Sequence, residues 1–197
     1  MNEAEVRDVF EHHGVLQRGH FKLSSGRHSD VYLQCQRVLE HPRVTRSLAR
    51  ALAARFPDGA ETVLSPAVGA ILIGAALADA LDARFVFAER VDGAMTLRRG
   101  QAIERAERVI VCEDVVTTGG SAAECLALTA AAGAEAVAVA SLVDRTGGAA
   151  PFRLESLLRV AASSWSPDEC PLCARGVPID QPGSRALPGT VSRATRT

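Results

Sequence analysis

The sequence predicts an α/β fold with a central, mostly parallel sheet flanked by helices. Apolar runs of strand length alternate with longer stretches of helical pattern. Each run is apolar almost throughout instead of alternating with polar residues, as a strand covered on both faces requires. A third observation orients the sheet. The polar groups Ser65-Pro66-Ala67-Val68-Gly69, Glu113-Asp114 and Asp144-Arg145 each stand at the C-terminal end of such a run, the edge at which open parallel sheets bind ligands.

The elements follow in order. Residues 2–13, NEAEVRDVFEHH, have a short helical pattern that Gly14 is placed to stop. GHFKLSSGRHSDVYLQC (19–35) reads as a hairpin, with FKLS and DVYLQC joined by a turn at Ser25-Gly26-Arg27. Residues 42–56 are a helix that ends before Pro57-Asp58-Gly59. ETVLS (61–65) is a strand, and 66–81 a glycine-containing loop running into a helix. RFVFAE (84–89) is the next strand. Residues 90–107 are a polar, arginine-rich stretch with Asp92-Gly93 and Gly100 as hinge candidates. RVIVCE (108–113) is a strand, 121–133 a helix and 134–145 another strand, and LESLLRVA (154–161) closes the compact part. The expected organisation is a single domain over 1–175, with a small N-terminal hairpin hood mainly from 14–40. A Pro-, Gly-, Ser- and Arg-rich tail over 176–197 is expected to be partly disordered.

Composition excludes several classes. A formal net charge of −1 argues against a nucleic-acid surface, which needs a basic excess. No apolar run approaches the length of a membrane span. The charged N-terminus does not read as a signal peptide, and five cysteines without framework spacing suit a reducing, cytoplasmic setting. Lys22 is the only lysine among 22 basic residues, so a phosphate clamp here must rest on arginine.

The chemistry concentrates in RVIVCEDVVTTGGSAAE (108–124). Thr117-Thr118-Gly119-Gly120-Ser121 precedes a helix. Free N–H groups at a helix start, with glycines that let a ligand approach, form a phosphate cradle. The spacing matches neither a P-loop nor a dinucleotide fingerprint. Glu113 and Asp114 stand directly before the cradle and would be repelled by phosphate. Ionised carboxylates accept hydrogen bonds from O–H donors, so vicinal hydroxyls of a ribose suit them. A sugar 5-phosphate meets both demands, whereas a plain helix cap calls for no acidic pair.

VIVCEDVVTTGGS resembles the phosphoribosyl-diphosphate signature of type I phosphoribosyltransferases: apolar residues, two acids, two apolar residues, then T-[TA]-G-x-[ST]. Other segments, together covering about residues 14–148, resemble the orotate phosphoribosyltransferases. GHFKLSSGRHSDVYLQC is similar to their N-terminal hairpin, LSPAVGAILIG to their diphosphate-contacting loop, FVFAERVDGAMTLRRG to their flexible-loop region, and SLVDR to the segment with their orotate-contacting arginine.

The resemblance implies the following roles. Glu113 and Asp114 hold the ribose hydroxyls, and Val115 and Val116 lead into Thr117–Ser121, which takes the 5-phosphate. The Ala67-Val68-Gly69 backbone contacts diphosphate, with Arg90 adding charge. Arg145 pairs with the orotate carboxylate, and Ser24, Ser25 and Tyr32 line the base pocket. Asp114, Arg98 and Arg99 are the catalytic candidates. Mg2+ is the implied cofactor, bound mainly through the diphosphate, so no protein metal cage is expected. The implied partners are orotate, 5-phosphoribosyl 1-diphosphate and a second copy of the chain, with neither nucleic acid nor membrane.

The sequence departs from the family pattern in its lysines. Ser24 stands where a hairpin lysine is usual, with Lys22 two residues earlier as a substitute, and the loop between Arg90 and Arg108 has none. These departures leave open a transferase for another base, or a regulator that binds phosphoribosyl diphosphate without catalysis. Cys170-Pro-Leu-Cys173 supplies half of a zinc ligand set. No second CxxC or paired histidine stands near it in sequence, so no metal site is predicted and a redox pair remains open. His12-His13 reads as solvent-exposed, His28 as a turn histidine, and Cys112 as a small core residue.

Overall fold

The computed structural model describes residues 1–23, 25–161 and 163–182. Ser24 and most of the expected tail, from residue 183 on, lie outside the described residues. The chain forms two compact units. One comprises Met1–Val15 and Gln34–Ala161, the other Leu16–Leu33 with the segment that begins at Ala162.

The first unit opens with α1 (Glu3–His12). Asn2 and Glu5 form a reciprocal capping box, Asn2 Oδ1 accepting from the Glu5 N–H at 3.0 Å and Glu5 Oε2 from the Asn2 N–H at 2.8 Å. The hairpin strands β1 (Leu16–Lys22) and β2 (His28–Leu33) belong to the second unit. The first unit resumes with the short α2 (Gln36–Leu39) and with α3 (Pro42–Ala53). Pro42 starts α3, where its missing N–H costs nothing. Thr45, Leu48, Ala49 and Leu52 form its buried stripe at helical spacing. There follow β3 (Thr62–Pro66), α4 (Ile71–Leu81), β4 (Arg84–Val91), β5 (Ala94–Leu97), β6 (Arg108–Val116), α5 (Gly120–Ala131), β7 (Glu135–Asp144) and β8 (Leu154–Arg159).

These strands form one sheet in the order β5-β4-β3-β6-β7-β8, parallel throughout except for the β4–β5 pair. The crossover through α4 steps from β3 to β4, and the crossover through α5 steps from β6 to β7, in the opposite direction. Right-handed crossovers that step in opposite directions put their helices on opposite faces. The switch point therefore lies between β3 and β6, the position at which such sheets hold ligands. The core repeats this division. On β6, Val109 and Val111 pack in the cluster that includes Ala122 and Cys125 of α5, while Ile110 and Cys112, also fully buried, alternate to the other face.

Three elements differ from the sequence-based expectation. The stretch after β4 is half strand. β5 folds back on β4 across Asp92-Gly93, whose φ angles of 48° and 87° suit a type I′ hairpin turn. This Asp-Gly pair is a hairpin turn where the sequence suggested a hinge. β6 runs on to Val116, so Glu113 and Asp114 lie inside the ladder, with Glu113 paired to Ser141. Residues 154–159 add a parallel strand to the sheet edge.

The second unit is a three-stranded sheet in the order β1-β2-β9, where β9 is Ser164–Trp165. The hairpin register runs from Leu16 opposite Leu33 to Lys22 opposite His28. Gly26, at φ 81°, makes the turn, and its N–H donates to the Leu23 carbonyl. A 3-10 turn (Pro167–Glu169) and α6 (Pro171–Ala174) follow β9. The chain then returns to β1, where the Lys22 N–H donates to the Asp180 carbonyl at 2.8 Å and the Asp180 N–H to the His20 carbonyl at 2.7 Å.

Candidate active site

The first unit gathers the strand-end residues at the switch point. β6 delivers Glu113 and Asp114, and α5 begins four residues after the strand ends. Gly119 caps α5 at φ 79°, and a Cβ there would stand 2.8 Å from the Phe152 ring. Both the left-handed backbone and the close packing call for glycine. No side chain caps α5. The N–H groups of its first turn, with the exposed Thr117 and Thr118 beside them, are therefore free to meet an anion. An ordinary capped helix would have spent one of those donors.

The two acids follow the alternation of β6. Asp114 lies on the side of the loop after β3, where a Cβ on Gly69 would sit 3.1 Å from Asp114 Oδ2. The Gln36 amide donates to the Gly69 carbonyl at 2.8 Å, which fixes this approach. The Ala67–Val68 peptide in the same loop is cis, and Val68 is exposed. Glu113 leans towards α5, where its charge helps to raise the Cys125 thiol, after burial itself. The two carboxyls nevertheless meet and share a hydrogen bond. Burial pushes Glu113 up to about 8, with the neighbouring Asp114 charge and that hydrogen bond adding to the effect. Burial also raises Asp114, against the Val115 N–H that donates to its Oδ1 at 2.9 Å. Burial and mutual proximity thus both push the pair towards keeping a proton.

The remaining candidates are placed as follows. Val116 is buried, and its carbonyl accepts from the Arg145 N–H at 2.8 Å, tying the end of β6 to the residue after β7. Asp144, 6 % exposed, accepts from the backbone and hydroxyl of Thr146, both at 2.7 Å, and so shapes the turn that carries Arg145. Arg90 reaches α5, donating to Glu124 at 2.9 Å and to the Gly93 carbonyl. That hydrogen bond is the main reason Glu124 is held below the usual carboxylate range. Arg99, at φ 58°, grips both oxygens of Glu89 at 3.0 Å, and its hydrogen bond is the main cause of the lowered Glu89 carboxyl. Arg98 is exposed beside it. Glu89 and Glu124, the partners of these arginines, had no signal in the sequence beyond being acidic.

Lys22, Ser25 and Tyr32 belong to the second unit. Lys22 ends β1 and Ser25 is exposed in the turn, while the Tyr32 ring lies 5.6 Å from that of Phe21. In that unit His20, His28, Cys170 and Cys173 also converge, with one ligand atom of each within 4.8 Å of the others. The CxxC spacing was the only sequence signal for this cluster. The two histidines stand on the neighbouring strands of the hairpin, His20 Nε2 lying 3.2 Å from His28 Nδ1.

Comparison with known proteins accords with this geometry. The family model for the phosphoribosyl transferase domain matches residues 34–154. The chain is 45% identical to the orotate phosphoribosyltransferase of Desulforamulus reducens over 190 residues, covering 95% of this chain and all of the relative. It is 46% identical to that of Chlorobaculum parvum over 189 residues, covering 94% and 98%. Among solved structures, the orotate phosphoribosyltransferase of Aeropyrum pernix aligns with a TM-score of 0.67 at 28% identity, over 79% of this chain and 93% of that one. The Mycobacterium tuberculosis enzyme in complex with inorganic phosphate aligns at 0.61 and 27%, over 81% and 96%. The sheet with its switch point, the acidic strand end and the open helix start thus have their counterpart in a known group. The chain belongs to the type I phosphoribosyltransferase family, among the orotate phosphoribosyltransferases.

Proposed function

We propose that the chain transfers the phosphoribosyl group of 5-phosphoribosyl 1-diphosphate to orotate, yielding orotidine 5′-monophosphate and diphosphate in pyrimidine synthesis. The observation that carries this reading is the uncapped start of α5 directly beyond the Glu113–Asp114 pair, in a chain 45% identical to named orotate phosphoribosyltransferases. In the reaction, the orotate ring nitrogen bonds to the anomeric carbon as the bond from that carbon to the diphosphate oxygen breaks. The first turn of α5 and the hydroxyls of Thr117, Thr118 and Ser121 hold the 5-phosphate. Asp114 and Glu113 take the ribose hydroxyls, with the Glu113 proton able to move as the pair exchanges its mutual hydrogen bond for bonds to the sugar. Ala67–Gly69 and Arg90 face the diphosphate, and Arg145 pairs with the orotate carboxylate. Little covalent chemistry is asked of the protein, so positioning and charge stabilisation carry the rate.

Mg2+ fits this site as a companion of the substrate, because the carboxylates at the strand end offer only hard oxygen donors. When bound, it neutralises charge on the departing diphosphate. The family resemblance also supports a homodimer, and the five free thiols accord with a cytoplasmic location. No helix among the described residues is long and apolar enough to cross a membrane. The test is the loss of orotate absorbance with phosphoribosyl diphosphate and Mg2+, run beside adenine, hypoxanthine and uracil. Turnover confined to orotate is expected. Turnover of another base without orotate, or binding of phosphoribosyl diphosphate without any turnover, would overturn the proposal. Sedimentation of the active protein as a monomer would overturn the dimer.

A further inference from the structure

We propose that His20, His28, Cys170 and Cys173 form a closed tetrahedral site for a structural zinc ion, which staples the C-terminal segment to the β1–β2 hairpin. The proposal concerns the second unit alone and does not depend on the reaction proposed above.

The distances are close to those of a ligand shell, all four atoms lying within 4.8 Å of one another. His20 Nε2 lies 3.2 Å from His28 Nδ1, 3.5 Å from Cys170 Sγ and 3.7 Å from Cys173 Sγ, and Cys173 Sγ lies 3.2 Å from His28 Nδ1. With Zn–S near 2.3 Å and Zn–N near 2.05 Å, tetrahedral ligand atoms stand about 3.3 to 3.8 Å apart.

Hydrogen bonding accounts for the cluster only in part, because with each thiol donating to one ring nitrogen His20 Nε2 and His28 Nδ1 meet at 3.2 Å lone pair to lone pair. His20 Nδ1 lies 2.8 Å from the Val177 carbonyl, which can only accept, so Nδ1 carries the proton. In the neutral ring Nε2 then has one lone pair and no hydrogen, yet three neighbours crowd it. One lone pair serves one donor. A cation at the common centre satisfies all four atoms at once. The Nδ1–H···O=C bond is also the support that metal-bound histidines characteristically have, fixing both tautomer and ring orientation.

Local structure presents the ligands for this purpose. Cys170 precedes the single turn of α6 and Cys173 lies within it, and Gly176 at φ 67° turns the chain so that Val177 returns to His20. Two thiolates, two neutral imidazoles and Zn2+ sum to zero charge, which a site with three buried ligands tolerates. An S2N2 tetrahedron selects zinc over the hard cations, and four protein ligands leave no open position for catalysis. The unit needs such a staple. Besides Cys170, its buried hydrophobic side chains among the described residues are Phe21, Val31, Leu33 and Leu172, and small cores of this kind are commonly tied by metals or disulfides.

The test uses the full, untagged chain, purified without added metal. Elemental analysis is expected to find about one zinc per chain, and reloading the stripped protein should release about two protons per ion as the thiols ionise. Cobalt(II) in place of zinc should give the intense visible bands of a tetrahedral thiolate site. It should also quench Trp165, which lies opposite His28 across the β2–β9 pair. Cys173→Ser and His28→Ala should each lose the metal and lower Tm by about 5 °C or more. If these variants fail to fold, the cobalt spectrum of the unaltered chain decides alone. A chain without metal that takes up no cobalt, or a Cys170–Cys173 disulfide in the peptide map of freshly purified protein, would overturn the proposal.

Discussion

Replacing Glu113 by glutamine tests the shared-proton reading of the acidic pair, because it alters a titration while keeping the shape. In the folded chain burial and the neighbouring Asp114 push the Glu113 carboxyl up to about 8, against an ordinary value of 4.5. Between those two values the folded state holds a proton that the unfolded state has released. Stability is therefore greatest at the acid end of this window and falls as pH rises through the folded pKa. The full slope for one proton is about 1.4 kcal/mol per pH unit. Allowing for the rounding near the midpoint, the loss between pH 6 and pH 8 is about 2 kcal/mol. Glutamine has no proton to lose, and its amide can donate to Asp114 as the protonated carboxyl does. The variant should therefore keep its stability over this interval, apart from the share due to other groups, and its curve should be flatter than that of the unaltered chain by about 2 kcal/mol. The assay is urea unfolding at pH 6, 7 and 8 without ligand, followed by far-UV circular dichroism, since the single tryptophan, Trp165, reports on the other unit. Equal pH slopes in the two proteins would refute the reasoning and place the proton elsewhere.

Asp114→Asn should reduce kcat/KM for phosphoribosyl diphosphate at least tenfold, about 1.4 kcal/mol, because a neutral amide is a weaker acceptor for a ribose hydroxyl. Unchanged kinetics would remove the acids from the site. The double replacement of Arg98 and Arg99 by alanine should lower kcat more than it raises either KM; a full kcat would leave Arg99 as no more than the partner of Glu89. Arg145→Ala should act chiefly on the KM for orotate, through loss of a charge-assisted pair, and an effect confined to phosphoribosyl diphosphate would misplace the base pocket. Gly74→Ala should destabilise the first unit by about 1 to 3 kcal/mol in the same urea assay, since a Cβ there would stand 2.0 Å from Ser65 Oγ and 2.7 Å from the Phe85 ring. Unaltered stability would show that α4 has room to shift from the sheet.

The parallel sheet and its ligand edge were legible in the sequence because both rest on local pattern. Continuous apolar runs such as VIVC and AVAVASLV specify strands covered on both faces, and a strand–loop–helix passage with TTGGS displays its free N–H groups whatever surrounds it. Composition alone also made Lys22 the only lysine and so any phosphate clamp an affair of arginines. Tertiary structure decided what depends on neighbours distant in sequence. β5 is too short to show a period, and becomes a strand only by pairing with β4. The upward shift of the Glu113 and Asp114 carboxyls follows from burial at the end of β6, which no count of acids reveals. Arg99 and Arg90 find Glu89 and Glu124 only once the hairpin and α5 are in place. The Cys170–Cys173 pair shows the same limit most clearly, because its companions His20 and His28 stand some 150 and 145 positions away along the chain. A ligand set divided between a hairpin register and a returning C-terminal segment has no spacing for a sequence to display, and only the fold brings its four atoms to one point.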